Sequence, residues 1–502
     1  MRQFEKIKKN IKYNAISQVA AFLINFALLP FIVSHAGKEV YGIYILVVTF
    51  TGYLGLMDLG VGGATVKYIA EFISRDDDKK VTDIISASFT LFVIIGILAA
   101  IALFILSYCF DVFFKVDIAS MIIIKHLFWV ASVSSLFIWP GRIFDYALQG
   151  FQRYDQYAIN NIIFTILIGI SAYVIFNRNY GIVCFLAASS ILTILKYLSS
   201  YFIVKKSLLK EKIHFPYFKK DIFKIIFDFS FYTFLSSLAG ILIFNLDTII
   251  VGAFVSLAAV TVYNVGFSIQ QGFRMLNSLI GGPLFPAYVE MEGKSEYEKQ
   301  KLVLFKGTKY LGFIFIPMVL VTLIFAKPLI IYWMGDMFVM SVMPAQILIS
   351  FWLFNGILEI GSGMLSAKGM VKIIFKLLFL NAIINLVLSL ILVRFFGIIG
   401  VALGTTIPMI FIYFPLIMRQ VFMVFRITAG EYFNIAVKKN LSVFLVALAV
   451  SIWIYRLYPP TNFWIVIFEM GAAYTITMFA GYGLVFSGNE RRELRTIIGF
   501  KT

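Results

Sequence analysis

The 502-residue chain is poor in cysteine, histidine and charge, and each shortage closes a class of function. Its two cysteines, Cys109 and Cys184, stand apart inside apolar stretches without CxxC spacing. They read as buried small hydrophobes rather than a redox pair or metal ligands. His35, His126 and His214 are scattered, with neither an HExxH nor a His–Cys grouping, so no metal site is expected. The phosphate-cradling pattern GxxxxGK[ST] is absent, which argues against direct ATP drive. No polar segment approaches the roughly 50 residues of a soluble domain, so any chemistry takes place within the apolar part of the chain. No cofactor is expected. Asp76-Asp77-Asp78-Lys79-Lys80 reads as a solvated loop, not a cation site.

What the chain has in excess is apolar surface. Hydrophobic residues make up 61 % and charged residues only 14 %, where a soluble domain is about 45–50 % apolar even with glycine counted. Water cannot solvate such a surface, whereas a bilayer can act as its solvent. A span needs about 20 apolar residues. That ruler places helices near 13–34, 41–62, 85–109, 119–139, 158–177 and 181–203, then near 227–252, 257–280, 309–333, 343–366, 373–393 and 397–418. Two more fall near 440–457 and 462–486. The expected fold is an all-α polytopic membrane protein with about fourteen transmembrane helices, or twelve if short hairpins such as Asn177 to Tyr180 are merged. The basic start (Arg2, Lys6, Lys8, Lys9, Lys12) precedes an apolar stretch longer than a signal h-region and reads as a retained first span.

A net charge of +17 suggests nucleic acid only until its distribution is examined. With the N-terminus inside and the sides alternating, the inner segments hold 34 of the 43 Lys and Arg, the outer side seven, and Lys196 and Arg274 lie within spans. That is the positive-inside bias, and it favours cytoplasmic N- and C-termini and no nucleic-acid partner. The basic segment from Lys205 to Lys224 is suited to anionic lipid headgroups.

The chain also repeats itself. Tyr41 and Tyr263, Gly150 and Gly369, and Asn161 and Asn381 recur at offsets of 222, 219 and 220, and Gly60 and Gly62 fall near the same distance from Gly281 and Gly282. Two six-helix bundles in tandem follow, facing the same way because six is even. Parallel repeats of this kind build transporters with a substrate path between the halves. The expected organisation is a lobe over 1–205, a basic cytoplasmic linker at 206–226, a lobe over 227–420, and helices 13 and 14 with a tail over 421–502.

Polar groups within spans are costly and therefore informative. Asn264, Ser268, Gln271 and Ser278 share one face of a helix, with Arg274 beside them. Two readings stand: a cavity wall in which Arg274 meets an anion through its fork of donors, or hydrogen bonding between helices. Asn25, Lys196 and Arg142 are further cavity candidates. Glu359, between Gly356 and Gly361, is the deepest carboxylate, either a coupling group for Na+ or H+ or a fixed ion-pair partner. Asp247 divides in the same way between a coupling site and a structural cap. Asp58 and Lys67, beside Gly60, Gly62 and Gly63, suit a tight packing corner. Arg142 and Asp145 lie near enough in sequence to pair.

Several segments resemble the polysaccharide (O-antigen and capsule) flippases, within the multidrug/oligosaccharidyl-lipid/polysaccharide exporter superfamily. They are YGIYILVVTFTGYLGLMDLGVGGATVKYIAEF (41–72), ALQGFQRY (147–154), FNLDTIIVGAFVSLAAVTVYNVGFSI (244–269), MLSAKGM (364–370) and NLVLSLILVRFFGIIGVALGTTIP (385–408). The resemblance implies two six-helix lobes around a central cavity. It also implies transfer of an undecaprenyl-diphosphate-linked oligosaccharide to the outer face of a bacterial inner membrane. Expected partners are that substrate, membrane lipid, a Na+ or H+ counter-ion and a glycan polymerase. The alternative within the superfamily is a cation-coupled small-molecule or drug antiporter, although the first span lacks the acid that drug exporters typically carry there. A membrane glycan polymerase or ligase would need paired acid and base groups and a long outer loop, and neither is present.

Overall fold

The computed structural model describes residues 2–58, 60–114, 116–209, 212–227 and 246–492, and every regular element among them is helical. The chain divides into two compact units, Met1–Thr261 and Val262–Thr502.

In the first unit the helices are α1 (Arg2–Ala36), α2 (Lys38–Tyr53), α3 (Val61–Ile73), α4 (Asp78–Phe113), α5 (Ile118–Gly150), α6 (Tyr154–Asn177) and α7 (Gly181–Ser207). Helical residues 220–227 and α8 (246–254) follow. The next helix, α9 (Leu257–Gly293), begins in this unit and continues into the second. The second unit continues with α10 (Tyr297–Met334), α11 (Val342–Ser350), α12 (Trp352–Ala367), α13 (Val371–Phe396), α14 (Ile398–Pro408), α15 (Phe414–Phe425), α16 (Ala429–Tyr432), α17 (Asn440–Leu457) and α18 (Phe463–Val485).

Eleven helical segments among the described residues are long and apolar enough to cross a membrane, against the fourteen expected. The difference has local causes. The second expected span is broken into α2 and α3 by a 3-10 turn at Leu54–Asp58 and by Gly60 at φ 83°. Most of the span expected at 227–252 lies outside the described residues. At 37 residues α9 is long, but its polar stripe and terminal charges dilute its hydrophobicity.

The break between α2 and α3 is the expected packing corner. The Gly62 amide donates to Asp58 Oδ1 at 2.9 Å and the Tyr146 hydroxyl to Oδ2 at 3.2 Å. A Cβ on Gly62 would overlap the Tyr146 ring, so glycine is required by that approach. Pro140 does not end α5, as the expected span 119–139 had it; the helix runs on to Gly150. A proline is tolerated within a membrane helix where neighbouring groups absorb the lost bond. Here Trp139 and Pro140 are buried against Gly96 of α4. Asp77 is the N-cap of α4, accepting from the Lys80 amide at 3.0 Å, which is why the acidic run stands there. Cys184 is exposed, not buried, since its face of α7 lies outside the packed interior.

The tandem repeat appears in the helix boundaries. Helices α4, α6 and α7 begin at 78, 154 and 181, and α10, α13 and α14 begin at 297, 371 and 398, 217–219 residues later. Packing repeats as well: α4 lies along α5 and α6 along α7, as α10 lies along α12 and α13 along α14. The last two helices have no counterpart. They are fastened to α10, where Asn440 donates to the Lys309 carbonyl at 3.1 Å and Phe313 packs with Val443, Val485 and Phe486.

Candidate functional site

In the first unit α2, α5 and α7 enclose a cavity of about 310 Å³. Its wall carries six hydroxyl residues, Thr51, Ser134, Ser135, Ser189, Ser190 and Thr193, together with one cation, Arg142. The Arg142 guanidinium lies 4.5 Å from the centroid of the Trp139 ring, which steadies it without neutralising it. Thr51, Ser135, Ser189 and Thr193 each donate to a backbone carbonyl one turn back, at 2.7–2.9 Å. Their lone pairs therefore face the cavity as acceptors while Arg142 supplies donors. A bound group needing both finds both.

Beside this cavity runs a closed network. Lys196 pairs with Asp145 at 3.0 Å, and Ser200 donates to the same carboxylate at 2.6 Å. Asn160 donates to Ser200 at 2.8 Å and to the Lys196 carbonyl at 3.0 Å. Lys196 also donates to Asn161 at 3.4 Å, and Asn161 to Ser17 of α1 at 3.0 Å. Four helices are tied through these groups. Asp145 thus pairs across helices with Lys196, and Arg142 is left to the cavity. Lys196, expected as a cavity cation, sits in an ion pair. Asn25 is exposed on α1, with no hydrogen bond from its side chain to another described residue. Asp247, in α8, is 1 % exposed beside buried Thr248.

In the second unit Asn264, Ser268 and Gln271 stand half-buried along α9, with Arg274 and Ser278 exposed. Ser268 and Ser278 bond back to the Asn264 and Met275 carbonyls at 2.8 Å. Glu359 of α12 meets no Lys or Arg among its printed contacts: Asn277 of α9 donates to its Oε2 at 2.7 Å. The other oxygen lies against Gly281, where any Cβ would displace it. One turn on, Gly363 makes room for the Tyr288 ring, whose buried hydroxyl has no hydrogen-bond partner among the described residues. A carboxylate held by an amide and a bare helix backbone is placed to exchange a proton or a small cation. Sequence reading missed Asn277, although Asn277 and Gly281 stand at i and i+4 on α9, a spacing that puts both on one face.

Residues 7–292 match the family described as polysaccharide biosynthesis protein, which is more than half of the chain. The chain belongs to the polysaccharide biosynthesis protein family. A protein of Shigella flexneri named as an O-antigen transporter is 22 % identical to this family member over 408 residues, 80 % of this chain and 95 % of the relative. A membrane protein of Methanocaldococcus jannaschii is also 22 % identical, over 88 % of each chain. Among solved structures, the lipid II flippase MurJ in an inward closed conformation superposes with TM-score 0.69 at 18 % identity, covering 94 % of this chain and 98 % of that one. An inward-facing multidrug MATE transporter superposes with TM-score 0.63 at 15 % identity over 84 % and 96 %. At these identities the structures show the fold: this polysaccharide biosynthesis protein is a multi-pass helical membrane protein built like the flippases and exporters of that superfamily. The family match covers Arg142, Lys196 and Asp247 and ends at Glu292, before Glu359.

Proposed function

We propose that the chain moves an undecaprenyl-diphosphate-linked oligosaccharide from the inner to the outer leaflet of a bacterial inner membrane, for O-antigen, capsule or exopolysaccharide synthesis. The observation that carries this reading is the hydroxyl-lined cavity with Arg142 as its single cation, in a member of a polysaccharide biosynthesis family. A diphosphate cannot enter a low-dielectric interior without compensating donors, and a guanidinium fork supplies them in the geometry phosphate oxygens need. The cavity hydroxyls suit the sugar that follows. Transfer proceeds by alternating access between a lobe over 1–205 and a lobe over 227–420, with both termini cytoplasmic and helices 13 and 14 attached outside the repeat. Glu359 is the coupling carboxylate and takes Na+ or H+.

The test is surface-glycan analysis after deletion of the gene in its source strain. Loss of one surface polysaccharide, with its lipid-linked unit accumulating in the cytoplasmic leaflet, is expected, and Arg142→Ala or Arg274→Ala should reproduce the loss at normal expression. Unchanged glycans with new sensitivity to cationic drugs would replace this reading by a cation-coupled drug antiporter.

A further inference from the structure

At the end of the first unit where α1 begins, a second cavity of about 330 Å³ opens between α1, α3 and the α5–α6 turn. Its lining is unusual for its amides: Asn10 and Asn14 of α1, Gln149 in the last turn of α5 and Gln152 in the turn itself, with Tyr154 opening α6. Asn10 and Asn14 stand at i and i+4 and so share a face of α1. Gln152 has φ 57°, which turns the chain sharply enough to bring Gln149 and Tyr154 to the same opening. None of these five side chains makes a hydrogen bond to another described residue. Each amide carries two donors and an acceptor with two lone pairs. Ile11, Val66 and Ala70 complete the lining as an apolar floor.

The charges nearby are spent on one another. Arg153 bonds Asp155 at 3.2 Å and Lys9 lies 3.9 Å from the same carboxylate, and none of the three lines the cavity. An anion therefore finds no cation there, and a cation no carboxylate. An apolar ligand would strip water from four amides and return no hydrogen bonds. A neutral sugar fits: its neighbouring hydroxyls give and take hydrogen bonds as amides do, and its C–H face meets the apolar floor. The volume lies at the lower end of ligand sites, roughly 300–1,000 Å³, room for about one or two sugar rings.

We infer that this pocket is a sugar-recognition subsite that reads a neutral residue of the oligosaccharide as the cargo enters from the side where α1 begins. The inference rests on the proposed flippase activity for the source of the sugar, but not for the binding chemistry. A site built from hydrogen bonds rejects an analogue lacking the matching hydroxyl far better than an apolar site does, so it would give the transporter a means of choosing its cargo.

Two measurements on the full-length protein test it. In detergent, the unfolding midpoint is followed against a panel of neutral monosaccharides (glucose, galactose, mannose, N-acetylglucosamine, rhamnose) raised to tens of millimolar, since a ligand bound only to the native state raises the midpoint. At least one sugar should raise it, and the rise should vanish in the double variant Asn14→Leu, Gln149→Leu. Gln152→Gly keeps the turn conformation while removing one exposed amide. It should weaken binding about fivefold, and it serves if the double variant fails to fold. In cells, the same variants should lower glycan export, the double variant at least tenfold. No rise with any sugar, or a rise that survives both variants, overturns the subsite. A rise lost in the variants with export undiminished overturns the cargo assignment and points to a free saccharide instead. If gene deletion leaves surface glycans unchanged, the flippase reading fails while the binding measurement still decides the pocket.

Discussion

Breaking the Lys196–Asp145 pair separates a structural role from a substrate role for these charges. The ammonium and carboxylate are 3.0 Å apart with side chains only 14 % and 11 % exposed. Lys196→Met leaves Asp145 with the Ser200 hydroxyl as its remaining partner. Removing one member of a buried pair costs roughly 3–5 kcal/mol, because the other charge is stranded. Replacing both by apolar groups is often close to neutral. The perturbation is therefore a double-mutant cycle: Lys196→Met, Asp145→Leu, and both together. Thermal unfolding in detergent gives the stability of each, and glycan export in cells gives the activity. Both single variants should unfold well below the wild type, and the double variant should recover most of the loss together with most of the export. A Lys196→Met protein as stable as wild type but inactive would refute the reasoning and return Lys196 to the substrate path.

Arg142→Ala should lower export at least tenfold, with Arg142→Lys recovering part of it, because a point charge lacks the bidentate fork; equal export by all three proteins would remove the anion from this cavity. Glu359→Gln should flatten the dependence of export on pH and on Na+, and an unchanged dependence would end its coupling role. Lys309 holds the final helical turn through Glu490 at 2.7 Å. Partial burial raises the Glu490 carboxyl, but the Lys309 and Ser487 hydrogen bonds outweigh it and bring it down from 4.5 to about 2. A carboxyl depressed in the folded state contributes stability that is fully present above about pH 4.5 and is lost as pH falls toward 2. The difference in unfolding midpoint between wild type and Glu490→Gln, of order 3 kcal/mol at neutral pH, should therefore shrink across that window. A pH-independent difference would count against the pair.

The helices were legible because a span is a one-dimensional signal: some 20 apolar residues between charges. The repeat was legible for a related reason, since Tyr41 and Tyr263 or Asn161 and Asn381 keep a nearly constant offset. Helix ends were less so. At 36 residues α4 extends about 54 Å, well beyond a hydrocarbon core of roughly 30 Å, so hydrophobicity marks only its middle. The site was legible in residue type and not in pairing. Arg142, Lys196 and Glu359 drew attention as charges in apolar surroundings. Nothing in the sequence says that Asp145 reaches Lys196, 51 residues on, rather than Arg142 three residues away. The cavity hydroxyls gave no signal, because a serine bonded to its own helix costs little in an apolar run and is common there.

The repeat gives the two candidate sites a relation that neither shows alone. Helix α5 ends at 150 and α12 at 367, and the following helices of each unit begin 217 residues apart. Carried through that register, Arg142 falls on Glu359 and Lys196 on Tyr413. The same turn of the same helix thus carries a guanidinium in the first unit and a carboxylate in the second. Around the first are hydroxyls and an aromatic ring; around the second are an amide donor and a glycine that leaves the carboxylate against bare backbone. One scaffold position, duplicated, has taken opposite charge and opposite surroundings. That divergence is what a transporter needs if one half holds an anionic cargo while the other binds the cation whose movement drives it. It also explains why mutating Arg142 should change transport of the cargo itself, and mutating Glu359 only its dependence on the ion.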